Sequence, residues 1–469
     1  MDAHSLRSGR LRVSRRLTLN LGVRWEPFLN AKEGRDNLGA FRPGQKSTVY
    51  PNAPVGALFV GDAGIPNGVV PNRWGRFSPR IGFAFDPTGA GKTSIRGGYG
   101  FFSANQRLVT LNSNPTNQPF SLGLRTFGIQ LSDPYAASPQ TLQQLQAYTP
   151  TSNAQDRAAR QFILPLAVNS VDPNFTGGYN QQWNLNVQRE VLAHIVLTVG
   201  YVGSKGTKLY AGENLNPAIY IPGASSTTNV DSRRIYQGFT TIISGMSIAN
   251  STYHSLQVSW NRRFGGGFSV LGSFTWSKAL DLASNDGGGG LGNQASNPFR
   301  YSSDKGPADL DVERRFVTSF LWELPFFRGA KGWQRTALGG WQLNGILTLQ
   351  SGLPFSVTAG TDRSLAGVGL DRADVNGEAH TFNSSDRSAK IQKFFDTSVF
   401  SLPALGTFGT SSRNFLFGPG IENFDAAVFK RFAFTEKRYF ELRWEVFNSL
   451  NRPNFLNPVA AFTNPLLGN

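Results

Sequence analysis

Several residue types and patterns are scarce in this sequence, and each absence excludes a class of protein. There is no cysteine, and there are only 2 methionines. Without cysteine, neither a disulfide framework nor a metal site built on thiolates can form. No stretch approaches about 18 consecutive apolar residues, which excludes a helical membrane span. The segment Met1–Arg16 is rich in arginine and serine and lacks the apolar core of a secretory signal.

Glycine and phenylalanine, in contrast, are abundant, with 52 and 37 residues respectively. Both suit strands and tight turns better than helices. Hydrophobic residues make up 39% of the chain and its mean hydropathy is −0.26, values that are typical of soluble proteins. Such averages conceal a one-sided apolar surface wherever apolar and polar residues alternate. The order of the residues, and not the composition, therefore has to distinguish a soluble protein from a membrane protein.

The formal net charge is +16, from 46 basic and 30 acidic residues. The basic residues are scattered along the chain, and no nucleic-acid recognition motif accompanies them, so we do not expect nucleic acid as a partner. Anionic lipopolysaccharide or an anionic solute is the favoured counterpart of this charge. Charged loops that are simply solvated are the alternative.

Apolar and polar residues alternate strictly over Leu17–Trp25, where every odd position is apolar and the even positions are threonine, asparagine, glycine and arginine. A period of two residues predicts a strand with one apolar and one polar face. Eleven segments show this pattern, near residues 17–25, 77–85, 94–101, 183–188, 195–201, 256–264, 268–277, 316–324, 341–349, 424–432 and 440–446.

Short and long connections alternate between these predicted strands. The short ones are 86–92, 190–194, 265–267, 325–340 and 433–437, and the long ones are 27–75, 103–180, 203–252, 279–314 and 359–421. A membrane barrel has this asymmetry because its periplasmic turns are tight and its extracellular loops are long. The sequence therefore predicts an all-β fold, an antiparallel up-and-down transmembrane β-barrel in the bacterial outer membrane. Bacterial outer-membrane barrels usually have an even number of strands. Because eleven is odd, we expect this chain to form only part of a barrel.

The same alternation assigns a direction to each strand, the first one running outward. Five tryptophans then fall near the outer ends, where an aromatic girdle is expected, namely Trp25, Trp74, Trp183, Trp276 and Trp444. The polar faces carry the candidates for lumen-facing residues, Arg80, Arg96, Glu441, Arg443 and Glu445. We expect these side chains to meet a plug or a solute, and salt-bridged wall residues are the alternative.

Motifs for catalysis, metals and cofactors are weak, and we expect none of these activities. The run Gly89–Ser94 resembles part of a phosphate-binding loop, but Asp86 stands where the motif needs its first glycine. The four histidines are isolated from one another, without the spacing of a metal site. No Gly-x-Ser-x-Gly nucleophile elbow occurs, so nothing indicates an enzyme.

Four phrases of the sequence resemble the barrels of TonB-dependent receptors. They are RLTLNLGVRWE at 16–26, SPRIGFAFDPTGAGKTSIRGGYGFF at 78–102, GWQLNGILTLQSGLPFSVTAG at 340–360 and ELRWEVFNSLNRPNF at 441–455. The nearest subgroup is the Oar-like one, which begins with a carboxypeptidase-regulatory-like domain. The resemblance implies a barrel of about 22 strands, of which eleven are present here, filled by a plug and energised by the TonB system to import a solute.

The chain departs from that family pattern at both ends, and we therefore interpret it as a C-terminal fragment. Residues 1–15 are expected to be irregular, residues 16–447 to form the barrel portion, and residues 448–469 to be a truncated extracellular loop or tail. Two other functions remain open. One is a structural or adhesive outer-membrane surface protein, and the other is a secreted all-β carbohydrate-binding protein.

Overall fold

A computed structural model describes most of the chain. The described residues are 5–29, 32, 34, 36–68, 70–103, 117–121, 132, 154–192, 194–284, 294–382, 387–433, 435 and 438–468. Twelve strands follow one another in a single antiparallel sheet whose spatial order is the chain order. They are β1 Ser5–Arg12, β2 Leu17–Trp25, β3 Phe77–Phe85, β4 Thr93–Ser103, β5 Tyr179–Leu192, β6 Ile195–Asn214, β7 Phe239–Gly265, β8 Phe268–Asp281, β9 Arg314–Glu323, β10 Trp341–Gln350, β11 Ile421–Ala433 and β12 Tyr439–Val446.

The remaining elements are short and lie in the connections. Two short strands pair with the ends of interior strands of the main sheet, Leu166–Val171 parallel to β7 and Gly306–Pro307 against β8. Three small two-stranded sheets pair Gly39–Phe41 with Ala57–Phe59, Pro354–Phe355 with Leu416–Phe417, and Asp374–Val375 with Phe400–Ser401. The helices are Ala154–Ala159, Asp231–Arg233, Tyr301–Asp304, Trp333–Leu338 and Arg387–Gln392. Among the described residues, no helix is long and apolar enough to cross a membrane.

The register of the sheet places apolar residues in continuous rows. One row crosses nine strands from Leu17 in β2 to Leu349 in β10, through directly paired residues that are all apolar. Its members are Leu17, Phe85, Ile95, Val187, Val199, Val258, Phe274, Phe316 and Leu349. The row starts at the first residue of β2 and ends next to the last residue of β10. The strands are therefore strongly staggered, as in the wall of a barrel.

The neighbouring row, one residue along each strand, is polar. It consists of Thr18, Ala84, Arg96, Asn186, Gly200, Gln257, Thr275, Arg315 and Gln350. Because successive residues of a strand point to opposite sides, the two rows define an apolar face and a polar face of one sheet. The predicted two-faced strands are confirmed.

The apolar face is uncovered over the described part of the chain. Along it, Leu185 is 49% exposed, Val187 41% and Trp276 55%. Such an extended apolar surface is unusual on a protein in water and indicates contact with lipid. The buried apolar residues lie instead in the long connections, at what we call the outer end of the sheet. The end with the short connections is the inner end.

Two expectations about the strands need correction. The structure has twelve strands in the sheet order rather than eleven, because Ser5–Arg12 pairs with β2 although residues 1–15 were expected to be irregular. The loop expected over 203–252 is reduced to 215–238, because β6 and β7 continue to pair with polar and small residues. In the segment 448–469, which was expected to be a truncated extracellular loop or tail, Phe462 and Leu467 pack on the connection after β10.

The connection between β2 and β3 folds onto the outer part of β7. Phe41 in this connection meets Phe239 of β7 edge-on, with ring centroids 5.4 Å apart. The buried carboxylate of Asp62 closes the loop, accepting hydrogen bonds from Ser47 Oγ at 2.7 Å and from the backbone N–H of Phe59 at 2.9 Å. Aromatic packing thus fixes a large segment without any contribution from the apolar face.

The connections after β8 and β10, with the tail, form a second packed body that we call the outer loop assembly (residues 294–313, 351–382, 387–420 and 447–468). Phe395 lies at its centre, fully buried, with its ring 5.5 Å from that of Phe355. Ion pairs tie the two connections together. Arg372 contacts Asp304 at 2.6 Å, and Arg413 contacts Asp281 of β8 at 2.6 Å.

The first prediction tests the apolar face. Replacing Val258, in the middle of the apolar row, with arginine should lower the free energy of unfolding in lipid by about 2–4 kcal/mol, because a charge would enter the centre of the bilayer. The matched substitution Gln257→Arg, one residue away on the polar face, should change it by no more than about 0.5 kcal/mol. Urea unfolding of the chain folded in phospholipid vesicles measures both. Equal losses would contradict a lipid-facing row.

The second prediction concerns the outer loop assembly. Arg413→Ala leaves the carboxylates of Asp281 and Asp309 without their partner and should destabilise the assembly by about 3–5 kcal/mol. Lys393→Ala removes an exposed cation that lies 3.9 Å from the Asp396 carboxylate and 5.0 Å from the Phe382 ring centroid, and it should leave stability almost unchanged. Hydrogen exchange of the two-stranded pair at Phe400 reports the difference. Unchanged protection in the Arg413 variant would show that packing alone holds the assembly.

Candidate functional site

The polar face carries the predicted lumen-facing residues, and register places all five on it. Arg80 in β3 lies opposite Gly22 and Gly100, and Arg96 in β4 lies opposite Ala84. The two arginines are on neighbouring strands but four residues apart along the register, which corresponds to roughly 13 Å. They therefore share a face without touching each other.

Arg80 occupies a surface that glycine keeps open. Its guanidinium carbon lies 4.4 Å from the centroid of the Phe102 ring, in a cation–π contact. A Cβ at Gly100 would come within 3.2 Å of both the Arg80 Cγ and the Phe102 ring, so this position has no room for a side chain. Gly98 lies beside it on the same face. The sequence analysis missed Phe102, although glycine at alternate positions was a signal of such a close approach.

The second group lies at the other edge of the sheet, on β11 and β12. Glu441 accepts hydrogen bonds from Arg431 at 3.0 Å and from Arg443 at 2.5 Å. The guanidinium of Arg443 also stacks over the Phe429 ring at 5.1 Å. Glu445 lies opposite Ala427 on the same face, one pair further along. This arrangement is an exposed charge cluster whose ion pairs contribute little to stability.

The structure thus brings Glu441 and Arg443 together and leaves Arg80 and Arg96 apart from them, nine and eight places away in the order of strands. Arg96 is fixed locally, its Nε donating to Ser94 Oγ at 3.0 Å. A positive surface with an aromatic ring at one edge and a mixed-charge cluster at the other gives the polar face two chemically different regions. In the described part of the chain, no group of three or more His, Asp or Glu side chains is placed to hold a metal ion.

Four of the five predicted girdle tryptophans lie on the apolar face by register, and Trp74 lies in the connection before β3. The structure brings one pair together, Trp25 and Trp74, whose rings stack at 6.3 Å. The Trp25 Nε1–H also donates to the Trp74 carbonyl at 2.7 Å. Trp276 and Trp444 are 55% and 69% exposed, as side chains that face a surrounding medium would be.

Trp183 has a different environment, which the sequence analysis did not anticipate. Its ring covers Gly203, where a Cβ would be only 2.3 Å away, and contacts the His254 ring at 6.1 Å. His254 in turn forms a 2.6 Å hydrogen bond between its Nδ1 and the Tyr201 hydroxyl. Tyrosine and histidine with an apolar body and a polar tip fit the boundary between lipid and water.

Two basic residues on the apolar face, Lys430 and Arg262, lie at its inner end. Lys430 is only 2% exposed, with its ammonium 5.7 Å from the Trp341 ring and 5.2 Å from the Phe432 ring. Arg262 places its guanidinium 5.1 Å from the Phe268 ring. Aromatic rings on both sides offset the cost of a cation close to an apolar medium.

Several solved structures of outer-membrane proteins are similar to this chain. The solved structures to which the chain is similar include the outer membrane transporter YddB from Escherichia coli (11% identity, TM-score 0.46), the ferripyoverdine receptor of Pseudomonas aeruginosa (11%, 0.39) and the FrpB iron transporter from Neisseria meningitidis (9%, 0.43). The matches cover 96%, 96% and 99% of this chain.

The same matches cover only 41%, 34% and 43% of those proteins, so the chain spans less than half the length of each. No curated protein of similar sequence was found. A family described as the outer membrane beta barrel domain matches residues 10–469, nearly the whole chain. The chain therefore belongs to the outer-membrane β-barrel domain family.

Proposed function

We propose that this chain is part of the barrel of a TonB-dependent outer-membrane transporter that takes up a solute. The observation that supports it most directly is the pairing of an uncovered apolar row with a polar row one residue away. A sheet with these two faces suits a wall between lipid and a hydrated lumen. The four phrases that resemble TonB-dependent receptors supply the transport part of the proposal.

Within this proposal, the polar face lines the lumen. Arg80, Arg96 and Arg443 would meet the solute or the plug, with Glu441 and Glu445 beside them. The stacking of Arg80 on Phe102 supports such a role, because it holds a charged group at the surface in a defined position. A positive lumen wall favours an anionic solute or an acidic plug surface.

The apolar face would contact outer-membrane lipid, with lipopolysaccharide at its outer end. Trp25, Trp74, Trp183, Trp276 and Trp444 would form the girdle there. For the full-length protein we propose the Oar-like arrangement, in which a carboxypeptidase-regulatory-like domain and a plug precede the barrel and the TonB system provides the energy. The portion 16–447 would then be barrel wall, and residues 448–469 would belong to its extracellular surface.

A structural or adhesive role at the cell surface is the second candidate. It is favoured by the outer loop assembly, whose buried aromatic core and ion pairs make an ordered surface rather than loose loops. An ordered surface binds a partner with a smaller loss of conformational entropy. The two functions differ in whether a solute disappears from the medium.

The third prediction separates them by depletion of the medium. Cells that produce the full-length protein, cells that lack it and cells that lack TonB are grown in one complex medium, and the remaining solutes are compared by mass spectrometry. Transport predicts at least one solute whose removal requires both the protein and TonB. A surface role predicts identical media, with binding of cells to a matrix as the altered property.

A fourth prediction tests the polar face on the solute so found. Arg80→Gln should lower the uptake rate about tenfold, the effect of losing roughly 1.4 kcal/mol from one charge-assisted contact. The control Arg335→Gln removes an exposed arginine from a short inner connection and should leave uptake unchanged. Equal rates in the two variants, at equal amounts of protein in the outer membrane, would place Arg80 outside the transport route.

A further inference from the structure

A cavity of about 320 Å³ lies at the outer end of the sheet, where β6 and β7 meet the connection that follows β8. Glu213 and Asn214 end β6 at this point, and Tyr301 comes from the connection. The apolar part of the wall includes Ile235, Met246 and Phe299. None of these residues belongs to the polar-face groups described above.

Three buried polar atoms of residues that line this cavity have no hydrogen-bond partner among the described residues. They are Glu213 Oε1, the amide nitrogen Nδ2 of Asn214 and the Tyr301 hydroxyl. Glu213 is 6% exposed and Asn214 4%. The other atom of the Asn214 amide is engaged, its Oδ1 accepting from the Asn216 N–H at 3.0 Å. Leaving a buried polar atom without a partner is unfavourable, so the three together indicate a ligand.

The charges around the cavity leave Glu213 without a cation. Two carboxylates whose charges act on the Tyr301 hydroxyl are already paired, Asp304 with Arg372 and Asp281 with Arg413, each at 2.6 Å. Glu213 takes part in no ion pair of the described chain. A buried acidic residue is normally paired with a cation. The lack of a partner for Glu213 is therefore unusual in a protein with a net charge of +16.

The protonation of the cavity depends on this environment. Burial and the negative charge of Asp304 together raise the pKa of Glu213 to about 8. Burial also raises the pKa of Tyr301, with Glu213, Asp304 and Asp281 acting in the same direction and Arg413 in the opposite one. At neutral pH the carboxyl group of Glu213 and the phenol of Tyr301 are therefore both mainly uncharged. A bound cation would favour the carboxylate.

We propose that this cavity binds a small organic ammonium ion that carries a hydrogen-bond acceptor near its nitrogen. Glu213 and the Tyr301 oxygen would accept from the ammonium group, and Asn214 Nδ2 would donate to the acceptor. Phe299, Ile235 and Met246 would contact the apolar part of the ligand, which distinguishes it from an inorganic cation. The volume is at the lower end of the range of about 300–1,000 Å³ for ligand pockets. This site does not depend on the chain being a transporter.

The test uses the full chain folded in detergent and two probes of matched shape, 2-amino-1-phenylethanol and the neutral 1-phenylethane-1,2-diol. Titration calorimetry should show that the amine binds at least about tenfold more tightly, as one charge-assisted contact provides. Binding should release close to one proton at pH 7, because Glu213 must ionise. Affinity for the amine should therefore rise from pH 6 to pH 8. Calorimetry in buffers with different ionisation enthalpies measures the released proton.

Two variants and one control complete the experiment. Glu213→Gln should abolish both the proton release and the preference for the amine, and Tyr301→Phe should weaken binding while the proton release remains. Glu378→Gln, an exposed change in another connection, should leave binding unaltered. Equal affinity for amine and diol, no binding of either, or unaltered proton release in Glu213→Gln would overturn the proposal. If Glu213→Gln does not fold, two results still test the proposal. They are the release of a proton when the native chain binds the amine, and the weaker binding expected of Tyr301→Phe.

Discussion

The antiparallel ladder of backbone hydrogen bonds constrains the rest of this molecule. In lipid, no water is available to satisfy a backbone N–H or C=O group, so each strand must pair with its neighbours over its whole membrane-crossing length. Pairing in turn fixes which residues stand side by side. Val258 lies between Val199 and Phe274, and Gln257 lies between Gly200 and Thr275. A slip by one residue in β7 would exchange those two environments, which makes the register strongly determined.

The long connections obey a different rule, because water surrounds them. Each buries its own apolar residues, and the packing partners come from distant parts of the chain, as Phe41 and Phe239 do. Arg372 and Arg413 then join separate connections through carboxylates that are largely shielded from water. The outer end of the sheet consequently carries cores of the kind found in soluble proteins, while the sheet itself has its apolar residues outside.

This division also separates the two surfaces to which we assign functions. The polar face is a wall whose chemistry follows from single residues, such as the half-buried Arg80 on Phe102 and the exposed Arg443 on Glu441. The cavity at Glu213 lies between several elements, and its carboxyl group has a raised pKa because it is buried near Asp304. A flat wall suits a solute or plug that passes or moves, and a cavity between packed elements suits a ligand that stays. We therefore expect the polar face and the cavity to bind different partners.

By itself the sequence determined the eleven alternating strands, their two faces and the order of short and long connections, because side-chain direction in a strand depends only on position. That reasoning placed Arg80, Arg443 and Trp276 on their faces. It could not find β1, since Gly9 stands where the pattern needs an apolar residue, and only pairing with β2 makes the segment a strand. Nor could it find the cavity or the loop cores. The proximity of Glu213 to Tyr301 depends on how distant connections fold together, and that is a property of tertiary structure.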